Sequence, residues 1–129
     1  MRLLLDTNAF LWAWAKPGKL SSRARKEIED GGNKRFLSCV SIWEIANKVA
    51  SGKLNLPDRP EDFDRYCEQL SIVAILPIRP IHVFQLRTLP RAHGDPFDRM
   101  LVAQCQVEGL RLVSADSVIA EHYLPDVIW

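Results

Sequence analysis

The chain has 129 residues, 47% of them hydrophobic, and a formal net charge of +1. That composition suits one domain around one hydrophobic core and excludes a disordered polypeptide. No apolar run approaches the ~20 residues of a membrane span. The near-neutral balance argues neither for nor against a nucleic-acid partner, so any such contact needs a local basic patch.

In chain order, the opening Met1-Arg2-Leu3-Leu4-Leu5-Asp6 lacks the cleavage region of a signal peptide and reads as a first strand over 2–6, so a cytoplasmic protein is expected. A helix follows over 8–15 and stops at Lys16-Pro17-Gly18. It carries Phe10, Trp12 and Trp14. One face enters the core, and the other is a candidate lining for a groove that takes a partner helix or a second copy. Ser21 or Ser22 caps a second helix to about Asp30, and Gly31-Gly32-Asn33 stops it. Residues 36–40 read as strand two. Ser41 then opens a helix whose apolar positions Ile42, Ile45, Ala46 and Val49 follow the three-to-four residue period, with Gly52 as its stop.

Pro60 begins another helix to about Leu70, residues 73–78 read as strand three, and 80–88 as a further helix. Pro96 occupies the first position of the next helix and Gly109 its far end. Residues 111–114 form strand four, 117–122 a short helix, and 127–129 a final strand. This alternation, without internal repeats, is the pattern of an α/β domain with a mostly parallel sheet. Cys39, Cys67 and Cys105 form no CxxC pair, which signals small thiols in a reducing compartment, not a zinc site or a disulfide framework. The basic residues cluster as Arg23, Arg25 and Lys26, as Lys34 and Arg35, and as Arg79, Arg87 and Arg91. Each cluster serves as a solvated face or as a phosphate-contacting patch.

Four acids fall at junctions. Asp6 ends strand one, Glu44 lies in the first turn after strand two, Asp98 lies in the first turn after Pro96, and Asp116 follows strand four. In a parallel sheet the carboxyl ends of the strands share one edge, which is where ligands bind. The Asp98 junction is unlike the others, because a helix precedes it. Capping and the helix dipole also favour acids at helix starts. Ser41-Ile42-Trp43-Glu44 matches a capping box, and Asp95 stands as a cap before Pro96. Ser, Thr and Asn cap equally well, however, so acids at all four junctions need a further reason.

Metal chemistry supplies one. Carboxylates gathered in one cleft repel, which raises their proton affinity unless a cation neutralises them. Mg²⁺ and Mn²⁺ prefer oxygen ligands, activate water and stabilise the leaving oxygen of a phosphodiester, so no protein nucleophile is required. The chain has no GxSxG elbow, no GxxxxGK[ST] phosphate loop and no GxGxxG fingerprint. His82, His93 and His122 show no ligand spacing and receive no role.

Leu3-Leu4-Leu5-Asp6-Thr7, Ser41-Ile42-Trp43-Glu44-Ile45, Asp95-Pro96-Phe97-Asp98-Arg99 with Leu101 and Ala103-Gln104, and Leu112-Val113-Ser114-Ala115-Asp116 together resemble the PIN-domain nucleases. The resemblance is closest to the VapC-type toxins of toxin–antitoxin systems and spans essentially residues 1–129, read as a single domain. It implies an α/β/α sandwich with helices on both faces of a parallel sheet. It also implies Mg²⁺- or Mn²⁺-dependent hydrolysis of RNA leaving a 5′-phosphate and a 3′-hydroxyl, a homodimer, and a small antitoxin that blocks the site. Asp6, Glu44 and Asp98 match the three core acids and Asp116 the more variable fourth.

Asn8 stands where close relatives often carry His, and it can donate to a carboxylate or to substrate. Thr7 and Ser114 flank the site and either orient metal waters or make ordinary turn bonds. Arg99 is placed to meet a phosphate or a surface acid. Asp95 is an accessory acid or, preferably, a cap, and Lys48 pairs with Glu44 one helical turn away. Two other enzyme classes fit poorly. A haloacid-dehalogenase-like phosphoryl-transfer enzyme would need an acid at Asn8, and a response-regulator receiver would need one at Leu5. The competing functions are a non-catalytic PIN-like module that binds RNA or protein, and a structure-specific DNA nuclease.

Overall fold

The computed structural model describes residues 1–55 and 62–129. Four strands, β1 (Arg2–Leu5), β2 (Lys34–Ser38), β3 (Ile72–Leu76) and β4 (Arg111–Val113), form one sheet of order β3-β2-β1-β4. Every pairing is parallel, so all four carboxyl ends lie along one edge. The helices are α1 (Thr7–Ala15), α2 (Ser22–Glu29), α3 (Cys39–Ala50), α4 (Phe63–Gln69), α5 (Pro80–Gln85), α6 (Pro96–Glu108) and α7 (Ser117–His122). Among the described residues no helix is long and apolar enough to cross a membrane.

Strand alternation builds the two layers. Leu4 and Leu112 turn to one face and pack with Leu101, Val102, Cys105, Ile119 and Tyr123 of α6, α7 and the turn that follows. Leu3, Leu5, Leu37 and Val113 turn to the other and meet Ala9, Phe10, Ala24, Ile28 and Tyr66 of α1, α2 and α4. Leu3, Leu4 and Leu5 are all fully buried. That is why β1 reads as an unbroken apolar run and not as an alternation. The expected α/β/α sandwich is the observed architecture.

The aromatic residues of α1 find partners within the chain. Phe10 packs on Phe63, Trp14 lies on Tyr66 and Trp12 faces Trp129, so the groove expected on this helix is largely filled. The helix expected over 80–88 divides into α5 and a 3-10 turn, Leu86–Thr88. The last residues do not form a strand of their own; Ile128 makes an isolated bridge to Val113. The helix start expected at Pro60 lies outside the described residues. The three cysteines are free thiols. Arg35 does not join a solvated basic face: it is buried and donates through Nη1 to the Ile28 and Asp30 carbonyls.

The largest correction concerns β2 and α3. The strand begins and ends two residues earlier than the expected 36–40, because Arg2 pairs with Lys34 and Leu5 with Leu37. Ser38, not Ser41, then caps the helix, its Oγ accepting from the Val40 amide at 3.0 Å. Ser41 is interior to α3, and its buried Oγ has no hydrogen-bond partner, so Ser41 and Glu44 do not form a capping box.

This assignment is testable by denaturant unfolding. Ser38→Ala removes a cap and leaves the buried Gln104 oxygen without its donor, so it is expected to cost about 1–3 kcal/mol. Ser41→Ala deletes a hydroxyl that has no partner, and its midpoint is expected to move by less than about 0.5 kcal/mol. The reverse ranking would restore Ser41 as the cap.

Candidate active site

The parallel edge gathers the acids from the residues upward. Asp6 follows the last residue of β1 and caps α1, its Oδ1 accepting from the Ala9 amide at 2.7 Å. Asp116 follows β4 and caps α7, its Oδ1 accepting from Val118 and Ile119. Asp95 caps α6 through Oδ1 on the Phe97 and Asp98 amides, as its preferred role required, and Asp98 stands in the first turn. Glu44 lies in the second turn of α3, is buried, and meets Lys48 at 3.3 Å.

Electrostatics couple these groups. Burial pushes Asp6 up to about 6, with Glu44 and Asp116 adding repulsion while Ser114 and the Ala9 amide pull it back. Asp98 is pushed up to about 7 by burial and by Asp95, with Asp6 and Glu44 adding to the rise and His93 opposing it. Asp116 goes the other way. Burial raises it, but the His93 hydrogen bond and the helix amides outweigh burial and hold the carboxyl below its usual range.

His93 had no sequence signal, and the structure sets it in the middle of the cluster. Its Nε2 lies 2.6 Å from Asp116 Oδ2 and 3.2 Å from Asp98 Oδ2. The residues of the loop before α6 bring it there. Tyr123 Oη accepts from the His93 amide and donates to the Pro90 carbonyl, and Arg99 donates to the Pro90 carbonyl and to Tyr123 Oη. Arg99 therefore fastens this loop. A nearest-neighbour pattern could not have revealed His93, since Asp116 is 23 residues away.

Of the accessory residues, Ser114 Oγ accepts from the Asp116 amide at 3.1 Å, and its side chain also lowers the proton affinity of Asp6. Thr7 is buried beside Asp6, and its Oγ1 has no partner. Asn8 is exposed on the first turn of α1. A cleft of about 440 Å³ adjoins the acids, lined by Glu44, Lys48, Lys53, Asp95 and Phe97 among others. Trp43, exposed, packs edge-on against the lining residue Phe97 at 4.9 Å between centroids.

The donor set fits a hard divalent cation. It is rich in carboxylate oxygen, its members raise one another's proton affinity, and a neighbouring buried hydroxyl lacks a partner. A family model described as PIN domain matches residues 3–123. The chain belongs to the PIN domain family. Among solved structures this PIN domain is similar to VapBC2 from Rickettsia felis bound to a DNA fragment from their promoter, with a TM-score of 0.68 and 15% identity over 99% of this chain and 96% of that one. It is also similar to FitAB bound to an IR36 DNA fragment, with a TM-score of 0.55 and 18% identity over 89% of this chain and 85% of that one. At those identities the likeness is one of fold. No curated protein matches the sequence.

The raised acids of this PIN domain set a pH dependence. Asp98 holds its proton to about 7 in the fold but only to 3.8 in an unfolded chain. Between those values the native state binds more protons, so the group's stabilising contribution is complete below the unfolded value and is lost as pH rises through the folded one. In chelator, wild type is therefore expected to lose melting temperature relative to Asp98→Asn as pH rises from about 5 to about 8. Parallel melting profiles for the two proteins would remove the raised Asp98.

Proposed function

We propose that residues 1–129 are a single nuclease domain that hydrolyses RNA with Mg²⁺ or Mn²⁺ and acts in the cytoplasm as the toxin of a toxin–antitoxin pair. The observation that carries this reading is the set of mutually repelling carboxylates at the carboxyl edge of a parallel sheet in a PIN domain. Asp6, Glu44, Asp98 and Asp116 hold the ions. A cation bound there would supply Lewis-acid stabilisation of the phosphodiester and lower the pKa of a water. The protein's own part is to fix Asp6, Asp98 and Asp116 at helix starts and Glu44 one turn further into α3, and to exclude water behind them through the buried β1.

RNA is favoured over a protein partner at this site by the chemistry of the cleft. Lys48 and Lys53 line it beside the exposed Trp43. Cationic and aromatic groups side by side suit a single strand, whose backbone is drawn to charge while a base stacks on an aromatic face. Asp95, Thr7 and Ser114 support the ligands, and Asn8 is exposed at the start of α1 for contact with substrate. A cognate antitoxin and a homodimer are part of the same proposal. Both are in keeping with the stretch through β3 and α5, where Val73, Ile75, Ile78, Ile81, Val83 and Phe84 are exposed.

Cleavage of single-stranded RNA and of DNA of equal sequence, each with Mg²⁺, Mn²⁺ and chelator, tests the activity. Metal-dependent cleavage of RNA alone is expected. Glu44→Gln and Asp98→Asn are each expected to slow it by more than about 100-fold, beyond the loss typical of groups outside a ligand set, while remaining folded. Preferential cutting of DNA would favour the structure-specific DNA nuclease, and RNA binding without cleavage in any metal would favour the non-catalytic module.

A further inference from the structure

The four-carboxylate reading leaves one group at the site without a part. The His93 ring is held on both nitrogens. The Asp95 amide donates to Nδ1 at 3.1 Å, and Nε2 meets Asp116 Oδ2 at 2.6 Å and Asp98 Oδ2 at 3.2 Å. A backbone amide can only donate, so Nδ1 carries the lone pair and the ring proton sits on Nε2, facing the carboxylates. A metal ligand at Nε2 needs the opposite tautomer. That tautomer would turn the Nδ1 proton against the Asp95 N–H.

His93, Asp98 and Asp116 do present donor atoms within 4.8 Å of one another. Using all three as ligands would nevertheless require the ring to give up Asp95. The surroundings oppose that. The His93 amide is tied to Tyr123 Oη at 2.8 Å, and Asp95 is fixed by the two α6 amides that its carboxylate accepts. The ring and its acceptor bond are thus anchored to α6 and α7 together.

We infer that His93 is a positioning residue: its Nε2–H spans Asp98 and Asp116 and sets their separation, and it is not itself a metal ligand. The inference rests on the four-carboxylate reading above. One donated proton between two carboxylate oxygens offsets their repulsion while no ion is bound. It leaves Asp98 Oδ1 and the remaining lone pairs of Asp116 for a cation.

Two substitutions separate the ring's two contacts. His93→Gln keeps an N–H donor at the reach of Nε2, whereas His93→Asn keeps an acceptor near Nδ1 and has no donor at that reach. Isothermal titration of the full chain with Mg²⁺ and with Mn²⁺ is expected to show His93→Asn weakened about 10–100-fold for both ions. His93→Gln should stay within about tenfold of wild type, with the Mn²⁺-to-Mg²⁺ ratio unchanged. A ligand role gives a different pattern: both variants weaken, and Mn²⁺ suffers more than Mg²⁺, because imidazole suits transition metals. That outcome overturns the inference. Nitrogen-15 NMR of wild-type His93 provides a check that needs no variant. The proton is expected on Nε2 both without and with Mg²⁺, and its transfer to Nδ1 on adding Mg²⁺ would overturn the positioning role. Wild type that binds neither ion overturns the four-carboxylate reading and the inference together, whereas wild-type affinity in both variants overturns the inference alone.

Discussion

Asp6 sits at the end of a strand that is buried on both faces, so its carboxylate is poorly solvated by water. The rest of the site answers that cost. One oxygen is satisfied by the first turn of α1 through Ala9, and the Ser114 side chain, just beyond β4, also lowers its proton affinity. These contacts only partly offset burial and the charges of Glu44 and Asp116, and the group keeps its proton up to about 6. A cation would complete the compensation that the backbone begins.

Capping and metal binding compete as explanations when the residues are read singly, but a cap occupies only one oxygen of an acid and leaves the other for a second partner. Asp116 gives Oδ1 to the α7 amides and Oδ2 to His93. Asp95 gives Oδ1 to two α6 amides, while its own N–H fixes the His93 ring. Helix starts therefore do more than favour negative charge. They orient Asp6, Asp95 and Asp116 by one oxygen, and Asp116 turns its other oxygen to His93.

What the sequence made legible follows from locality. The parallel sheet, the positions of Asp6 and Asp116, and the stop at Gly109 rest on short apolar runs and on punctuating residues, and the structure has them where expected. Gly109 takes a φ of 64°, as a left-handed helix end requires. The start of α3 was not legible, because two serines three residues apart both suit a cap. Only the pairing of β2 with β1 decides between them. The inward face of α3 was misjudged for a chemical reason. Periodicity put Ala46 and Val49 inside, yet both are exposed while Ser41 and Glu44 are buried. Polar residues at core-facing positions break the hydrophobic pattern at functional sites. His93 was out of reach altogether, since a loop fastened by Tyr123 and Arg99 determines where it lies.

Ser38 ties these levels together. Its hydroxyl accepts from the Val40 amide and so fixes where α3 begins, which sets the turn on which Glu44 appears. The same hydroxyl donates to Gln104 Oε1 at 2.5 Å, in the helix that carries Asp98 at its start. Gln104 is fully buried and spends its amide on the Pro77 carbonyl at 3.1 Å, so it has no alternative partner in solvent. Nearby, His82, also fully buried, accepts from the Arg79 amide and meets Glu108 at 2.8 Å, holding α5 against α6. Glu44 and Asp98 come from separate helices, and neither helix dictates the distance between them. The buried Ser38–Gln104 hydrogen bond ties the two helices together, because sliding either helix would strand a polar group in the core. The register of the clustered acids is thus tied to polar atoms that lie outside the cleft.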